Sequence, residues 1–234
     1  ELLFGFLPMW GVVVQPLAAV LFIAASLAET NRNPFDLPEA ESEIVGFHLE
    51  YSSLKFALFM MTEYVHIVVV SALITTLFFG GWQVPWMPTE KLIANIQPAM
   101  LVFLASLALV ALALLPVVRR WNRYLRRLYV DARRHEADFW TAVLLLLLLG
   151  AAGGAALILA NPPTGDAAAG LAAFLQVATF LGKVTFFGFF FIWVRWTLPR
   201  FRYDQLMGLG WKAMLPLGLL NVVVTAAAVL LLER

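Results

Sequence analysis

The chain alternates between long apolar runs and short polar segments. Six runs are long enough to cross a hydrocarbon core of about 30 Å as helices, since a helix rises about 1.5 Å per residue. They are apolar around their whole circumference, which is typical of membrane spans and not of the surface helices of soluble proteins. We predict spans at about 2–27, 54–79, 98–118, 139–160, 171–193 and 211–232. The fold class is therefore all-α, a polytopic bundle of about six transmembrane helices.

Composition supports this class and narrows the chemistry. Apolar residues make up 62% of the 234 residues and charged residues 13%, and the mean hydropathy is +0.85. The chain has no cysteine, which excludes disulfides, thiolate metal sites and iron–sulfur ligation within it. It also has no Rossmann or Walker glycine motif and no HExxH zinc motif. We expect no metal site and no cofactor bound by this chain alone, so partners handle electrons and nucleotides.

The beginning of the chain predicts further sequence upstream. The first residue is Glu1, and Leu2 already belongs to an apolar run. No charged leader or small-residue cleavage site accompanies that run, so it does not resemble a signal peptide. We expect the amino-terminal part of a longer protein to precede this sequence.

Basic residues are unevenly divided between the loops and predict the orientation. They concentrate between spans three and four and after span five: Arg119, Arg120, Arg123, Arg126, Arg127, Arg133, Arg134, then Arg195, Arg200, Arg202 and Lys212. The loops 80–97 and 161–170 hold one basic residue, Lys91. The positive-inside rule puts the Arg-rich loops in the cytoplasm, and alternation puts residues 28–51 there too. A topology anchor is the simplest role for the arginines; a lipid-headgroup or nucleic-acid patch is the alternative.

The loop "AETNRNPFDLPEAESEIVGFHLEY" is acidic although membrane spans flank it. Its six carboxylates are Glu29, Asp36, Glu39, Glu41, Glu43 and Glu50. Asp36-Leu37-Pro38-Glu39 is a good helix start, and continued helix places Glu39, Glu43 and Glu50 on one face. Like charges four residues apart destabilise a helix and hinder one another's ionisation, which favours groups that exchange protons. A solvated acidic loop that contacts a basic partner is the alternative.

Two charged residues lie well inside predicted spans. Glu63 is about ten residues into the second span, and Lys183 is near the middle of the fifth. A charge at that depth costs roughly 2.5–3.5 kcal/mol on insertion scales and usually marks an ion or proton path. His66 is one turn from Glu63, while Arg195 is better placed to anchor at the interface. The pattern indicates proton handling, and a structural Glu63–Lys183 ion pair is the alternative.

Two long motifs resemble one membrane-protein family. "AETNRNPFDLPEAESE", followed by "GFHLEYSSLKFALF" and "TEYVH", closely resembles the signature of the H subunit of NADH–quinone oxidoreductase, the bacterial respiratory complex I. The same family contains the first NADH-dehydrogenase subunit of mitochondria. "GKVTFFGFFFIWVRWTLPRFRYDQLMGLGWKAMLPL" resembles the last loop and last helix of that family. The motifs stand in the family's order and cover about residues 1–82 and 180–234.

The sequence departs from the family pattern twice. "EIVGFHLEYS" is one residue shorter before the glycine, which shifts the helical phase of Glu50. Trp82 and Lys183 are 101 positions apart, whereas the family's connection is short. We predict a family core at 1–82 with the acidic loop 28–51, an inserted pair of spans with an Arg-rich loop at 83–170, and a second part of the core at 171–234.

The resemblance implies a role in energy conversion. It implies a subunit that anchors the peripheral arm, forms part of the quinone tunnel and couples quinone reduction to proton translocation. Quinone is then a substrate, while flavin and iron–sulfur clusters belong to partner subunits and this chain carries no redox centre or catalytic residue. The implied proton-coupling residues are Glu29, Glu39, Glu41, Glu43, Glu63 and Lys183. The implied residues of the quinone-cavity loop are Arg32, Asp36 and Glu50.

The resemblance also implies a location, partners and alternatives. The location is the bacterial inner (plasma) membrane, with the acidic and Arg-rich loops cytoplasmic. The partners are peripheral quinone-module subunits, neighbouring membrane subunits and lipid, with no nucleic acid. The equivalent anchor of a membrane-bound hydrogenase or ferredoxin-linked complex is the first alternative. A stand-alone transporter predicts an internal repeat that the two halves do not show, and a passive scaffold leaves Glu63 and Lys183 unexplained.

Overall fold

The computed structural model describes residues 2–3, 7–30, 35, 54–128, 136–199 and 201–232. Two short antiparallel strands open this part of the chain, β1 (Leu2–Leu3) and β2 (Leu7–Pro8). The helices that follow are α1 (Gly11–Val14), α2 (Pro16–Glu29), α3 (Leu54–Phe78), α4 (Thr89–Ala94), α5 (Ile96–Leu128), α6 (Glu136–Ala160), α7 (Asp166–Thr197), α8 (Tyr203–Gly208), a π-helical segment (Leu209–Met214) and α9 (Leu215–Leu232).

Five stretches are long and apolar enough to cross a membrane: Met60–Phe78, Ile96–Arg126, Asp138–Ala160, Asp166–Thr197 and Tyr203–Leu231. A shorter apolar helix, Pro16–Glu29, accompanies them. The predicted class, an all-α polytopic membrane protein, is confirmed.

The first predicted span, 2–27, contains less continuous helix than expected. The short strands come first, and the helix is broken at Gln15, whose φ of −135° and ψ of 67° are not helical. The cause is Pro16, because a residue before proline is disfavoured in the helical region while proline itself suits a first turn. Helix α2 has 14 residues and rises about 21 Å, less than a hydrocarbon core.

Two helices extend beyond the predicted spans. Helix α5 continues ten residues past the predicted end at 118, through the arginines, because arginine is a good helix former. Its 33 residues rise about 50 Å, more than the hydrocarbon core needs. Helix α7 runs for 32 residues and begins at Asp166, which complements the positive end of the helix dipole.

The chain divides into two compact units. The first consists of residues 1–86 and 177–234, and the second of residues 87–176. The core of the first unit contains the buried side chains of Leu27 of α2, Phe35, Ile67 of α3 and Phe187 of α7. In the second unit, α5 packs along α6, and Leu104 lies against the backbone of Gly154. The domain limits at 83 and 170 stay a prediction.

Candidate functional site

A row of residues at intervals of four runs along α3 and contains three polar groups. Its members are Glu63, Ile67, Ser71 and Thr75. Ser71 and Thr75 are fully buried at 0% exposure. The Ser71 Oγ donates to the carbonyl of Ile67 at 2.7 Å, and the Thr75 Oγ1 donates to the carbonyl of Ser71 at 2.8 Å. Because residues four apart share a helix face, α3 presents a polar strip to the core of the first unit.

The carboxylate of Glu63 lies at one end of this strip. Its side chain is half-buried and its Oε2 atom is enclosed, and His66, three residues on, is also half-buried. An ionisable group inside a membrane-length apolar helix is costly to insert and usually has a functional role. This end of α3 therefore carries a carboxyl group whose presence the apolar character of the helix does not explain.

A small cavity of about 100 Å³ opens between α3 and α7, next to the residue that follows Glu63. It is lined by Tyr64, Ile67, Phe191, Ile192, Arg195 and Trp196. Sites for organic ligands usually enclose roughly 300–1,000 Å³. The cavity alone is too small to enclose such a ligand, but it brings the cationic Arg195 of α7 to the same end of α3 as Glu63.

Lys183 of α7 lies at the other end of the strip. Its Nζ donates to three backbone carbonyls: Phe79 at 2.8 Å, Gly81 at 3.0 Å and Gln83 at 2.8 Å. The same ammonium lies 4.4 Å from the ring centroid of Trp10. Carbonyl oxygens and an aromatic face both stabilise a cation. These four contacts therefore compensate the charge of Lys183, although none of them is with a carboxylate.

The turn after α3 supplies these carbonyls through two glycines. Gly80 has a φ of 70° and Gly81 a φ of 54°, in the left-handed region that favours glycine. A Cβ on Gly80 would lie 2.5 Å from the Trp10 Nε1, so Gly80 also permits the close approach of the indole. The two consecutive glycines and the indole thus fix the shape of the carbonyl cradle, by which we mean the carbonyls of Phe79, Gly81 and Gln83.

Glu63 and Lys183 do not form the ion pair that was the alternative interpretation. Phe79, which binds Lys183, follows Glu63 by 16 positions. At 1.5 Å per residue this separation is about 24 Å along α3, beyond the reach of the two side chains. The two intramembrane charges therefore occupy opposite ends of the strip.

Glu29 is the last residue of α2, and its side chain is exposed in the described part of the chain. The next residue, Thr30, is buried, and its Oγ1 donates to the carbonyl of Leu27 at 3.0 Å. A carboxylate at the negative end of a helix dipole is unfavourable by about 0.3–1 kcal/mol. Helix stability therefore does not explain an acid at Glu29.

The remaining predicted site residues lie outside the described residues: Arg32, Asp36, Glu39, Glu41, Glu43 and Glu50. The helix predicted to begin at Asp36 lies there as well. Within the described residues, no group of three or more histidine, aspartate or glutamate side chains is placed to hold a metal ion.

Sequence reasoning missed Ser71, Thr75 and Trp10. The hydroxyl residues repeat the spacing of four that begins at Glu63, so the i, i+4 pattern in an apolar helix was an available signal. Trp10 gave no comparable signal, because its contact with Lys183 joins residues 173 positions apart.

Comparison with known proteins identifies related sequences. The profile of a family described as NADH dehydrogenase matches residues 4–131 and 133–226, and so includes most of the segment 83–170. The chain is 38% identical over 223 residues to NADH-quinone oxidoreductase subunit 8 of Rhodothermus marinus, covering 95% of this chain and 45% of that protein. It is 37% identical to the NADH-quinone oxidoreductase H subunit of Bdellovibrio bacteriovorus over 223 residues, covering 95% and 42%. The corresponding H subunit of Salinibacter ruber is 36% identical over 228 residues, covering 97% and 46%. The chain spans less than half the length of these relatives.

Proposed function

This chain belongs to the NADH dehydrogenase family, and we propose that it forms part of the H subunit, a membrane subunit, of a bacterial proton-translocating NADH–quinone oxidoreductase. Relatives that are subunits of this enzyme match 95–97% of the chain. The observation that carries the proposal is Glu63, a half-buried carboxylate in a membrane-length helix of a chain with this ancestry.

The proposed activity is the coupling of quinone reduction to proton translocation. Quinone, the substrate of the complex, is reduced next to the acidic loop, and the resulting change in charge alters the protonation of carboxylates that repel one another. The change passes to the intramembrane carboxylates and then to neighbouring pumping subunits. The proposed coupling residues are Glu39, Glu41 and Glu43 in the loop, and Glu29 and Glu63 in the helices. Arg32, Asp36 and Glu50 are proposed to shape the quinone cavity.

The proposed setting is the bacterial inner membrane with the acidic and Arg-rich loops in the cytoplasm. The charge difference between the loops supports this orientation. The protein would anchor the peripheral arm, whose subunits carry the flavin and iron–sulfur clusters, and would contact neighbouring membrane subunits. The names of the relatives favour NADH as the electron donor over a hydrogenase or a ferredoxin-linked module.

Glutamine variants in the purified complex test the coupling role. Glutamine keeps the shape of glutamate and removes the exchangeable proton. We expect Glu63→Gln to lower NADH-driven proton uptake into liposomes at least tenfold, with Glu39→Gln and Glu43→Gln lowering quinone reduction and pumping together. Glu90→Gln is the matched control, because Glu90 is exposed on α4 of the second unit.

The assay measures NADH oxidation and proton uptake in the same liposomes. Full quinone-dependent activity with full pumping in the Glu39, Glu43 and Glu63 variants would contradict the proposal. Copurification with a hydrogenase-type module in place of flavin-bearing subunits would show that the electron donor is not NADH. The coupling residues would then be tested in that complex.

A further inference from the structure

The carbonyl cradle matches the donors of one ammonium group. A lysine ammonium has three N–H donors and no acceptor. Lys183 directs one donor to each of three carbonyls, at 2.8–3.0 Å, within the normal range for N–H···O bonds. All three donors are therefore used by the backbone of a single turn.

The hydrogen bonds of the turn leave these carbonyls for the lysine. The amides of Phe79 and Gly81 both donate to the carbonyl of Thr75, at 3.2 Å and 2.9 Å, and the amide of Gln83 donates to that of Gly80 at 3.0 Å. The Gly80 carbonyl, which is bonded within the turn, lies in sequence between the Phe79 and Gly81 carbonyls that accept from Lys183. Carbonyls beyond a helix end need partners, and in apolar surroundings an unmade bond is costly.

The ammonium also lies over the indole of Trp10, 4.4 Å from the ring centroid. That indole also contacts the ring of Phe79, with 6.5 Å between centroids, and packs on Gly80. An aromatic face attracts a cation without accepting its protons. Oxygen atoms and an aromatic ring thus surround the charge, as in a binding site for a primary ammonium ion.

We propose that the carbonyls of Phe79, Gly81 and Gln83, closed by the Trp10 ring, form a primary-ammonium site whose resident ligand is the side chain of Lys183. Lys183 is then a positioning residue: it holds the end of α3 against α7 and the start of α1, and it carries no protons. Loss of its proton would leave one carbonyl without a donor and turn the nitrogen lone pair toward oxygen. The expected proton-coupling role of Lys183 is replaced by this one.

Chemical rescue tests the site directly in the complete protein within its purified complex. Lys183→Ala removes three carbons and the ammonium, a loss that n-propylammonium matches in size. We expect the variant's thermal unfolding midpoint to fall by several degrees and to recover by at least half with millimolar n-propylammonium. Wild type should not respond. Tetramethylammonium, which has no N–H donor, and n-propanol, which has no charge, should fail to rescue.

Two further variants separate charge from packing. Lys183→Met keeps the length of the stem without the ammonium and should be destabilised and not rescued, because its side chain fills the path to the cradle. Lys91→Met is the control, since Lys91 is exposed on α4. Wild-type stability of Lys183→Met, or a destabilised Lys183→Ala that no primary amine restores, would overturn the ammonium site.

A third variant tests whether Lys183 carries protons, and this part rests on the proposed function. Arginine stays protonated in proteins, so Lys183→Arg keeps a cation and removes a proton carrier. We expect its proton-to-electron ratio to equal that of wild type. A variant that assembles and reduces quinone but loses pumping would show that Lys183 carries protons. Failure of the rescue speaks only against the site, because that measurement needs no catalytic activity.

Discussion

The two units of the molecule handle polarity in opposite ways. In the first unit, polar groups lie inside membrane-length helices: the strip of α3, and Lys183 near the middle of α7. In the second unit, α5 and α6 have no charged residue in 96–118 or 139–160, and their ion pair, Arg126–Asp138, lies near the helix ends. Stability in a bilayer requires only the second pattern. The first unit is therefore where function is to be sought.

Individual glycines of the two units differ in the space around them. In the first unit, a Cβ on Gly11 of α1 would overlap the carbonyl oxygen of Leu77 and lie 3.1 Å from the Phe78 Cα. In the second unit, a Cβ on Gly150 or Gly153 of α6 would meet nothing within 4 Å. Gly11 therefore permits close backbone contact between α1 and the end of α3, while α6 has open space around Gly150 and Gly153.

The largest effect is expected from Gly11→Ala. Because the atom it meets belongs to the backbone, α1 or the end of α3 must shift, and the cost should be about 1–3 kcal/mol or more. The thermal midpoint of the purified complex, or its yield if assembly fails, measures the effect. Gly153→Ala is the matched control and should stay within about 0.5 kcal/mol of wild type. Equal thermal midpoints for Gly11→Ala and Gly153→Ala would show that the close backbone contact at Gly11 does not matter for stability.

The spans could be predicted from sequence because long apolar runs determine them. The second span was predicted at 54–79 and α3 is Leu54–Phe78. The ends of the helices were harder to predict than the spans. Pro16 shortened the first helix, and the arginines after Val118 prolonged α5. Ends depend on single residues and on helix propensity, to which mean hydropathy is insensitive.

The site was only partly predictable, for a different reason. The cost of a charge inside a span identified Glu63 and Lys183. Their partners depend on tertiary structure: the cradle requires two glycines in the left-handed region and a tryptophan 173 positions from the lysine. The glycine pair predicts a turn but does not say which side chain its carbonyls will bind.

A smaller effect is expected from the hydroxyls of the strip. The double variant Ser71→Ala, Thr75→Val removes two buried donors whose acceptors are carbonyls of α3 itself. No buried group loses an essential partner, so stability should change little. If the strip transmits the protonation state of Glu63 to the end of α3, the proton-to-electron ratio should fall measurably below that of wild type while quinone reduction continues.

Ser106→Ala is the matched control for the double variant. Ser106 of α5 makes the same kind of bond, to the carbonyl of Phe103 at 2.7 Å, but it is exposed and belongs to the second unit. Pumping should be unchanged. If the double variant keeps the wild-type proton-to-electron ratio, the two hydroxyls serve only in packing. Glu63 would then be the one polar group of the strip with a role in coupling.

The smallest effect is expected from Asp138→Asn in the second unit. The Arg126 Nη2 donates to both carboxylate oxygens of Asp138, at 2.9 Å and 3.0 Å, and the Asn122 Nδ2 also donates to Asp138. The side chains of Arg126 and Asp138 are 49% and 37% exposed, so water screens the pair and its contribution should be about 0.5–1 kcal/mol. The thermal midpoint should fall slightly, while quinone reduction and pumping stay at wild-type levels. Asp138→Asn and Glu63→Gln each replace one carboxyl group by an amide, so together they test the contrast between the units directly. Loss of pumping in both variants would mean that the second unit also takes part in coupling. Exposure at a helix end would then not indicate which carboxyl groups matter for function.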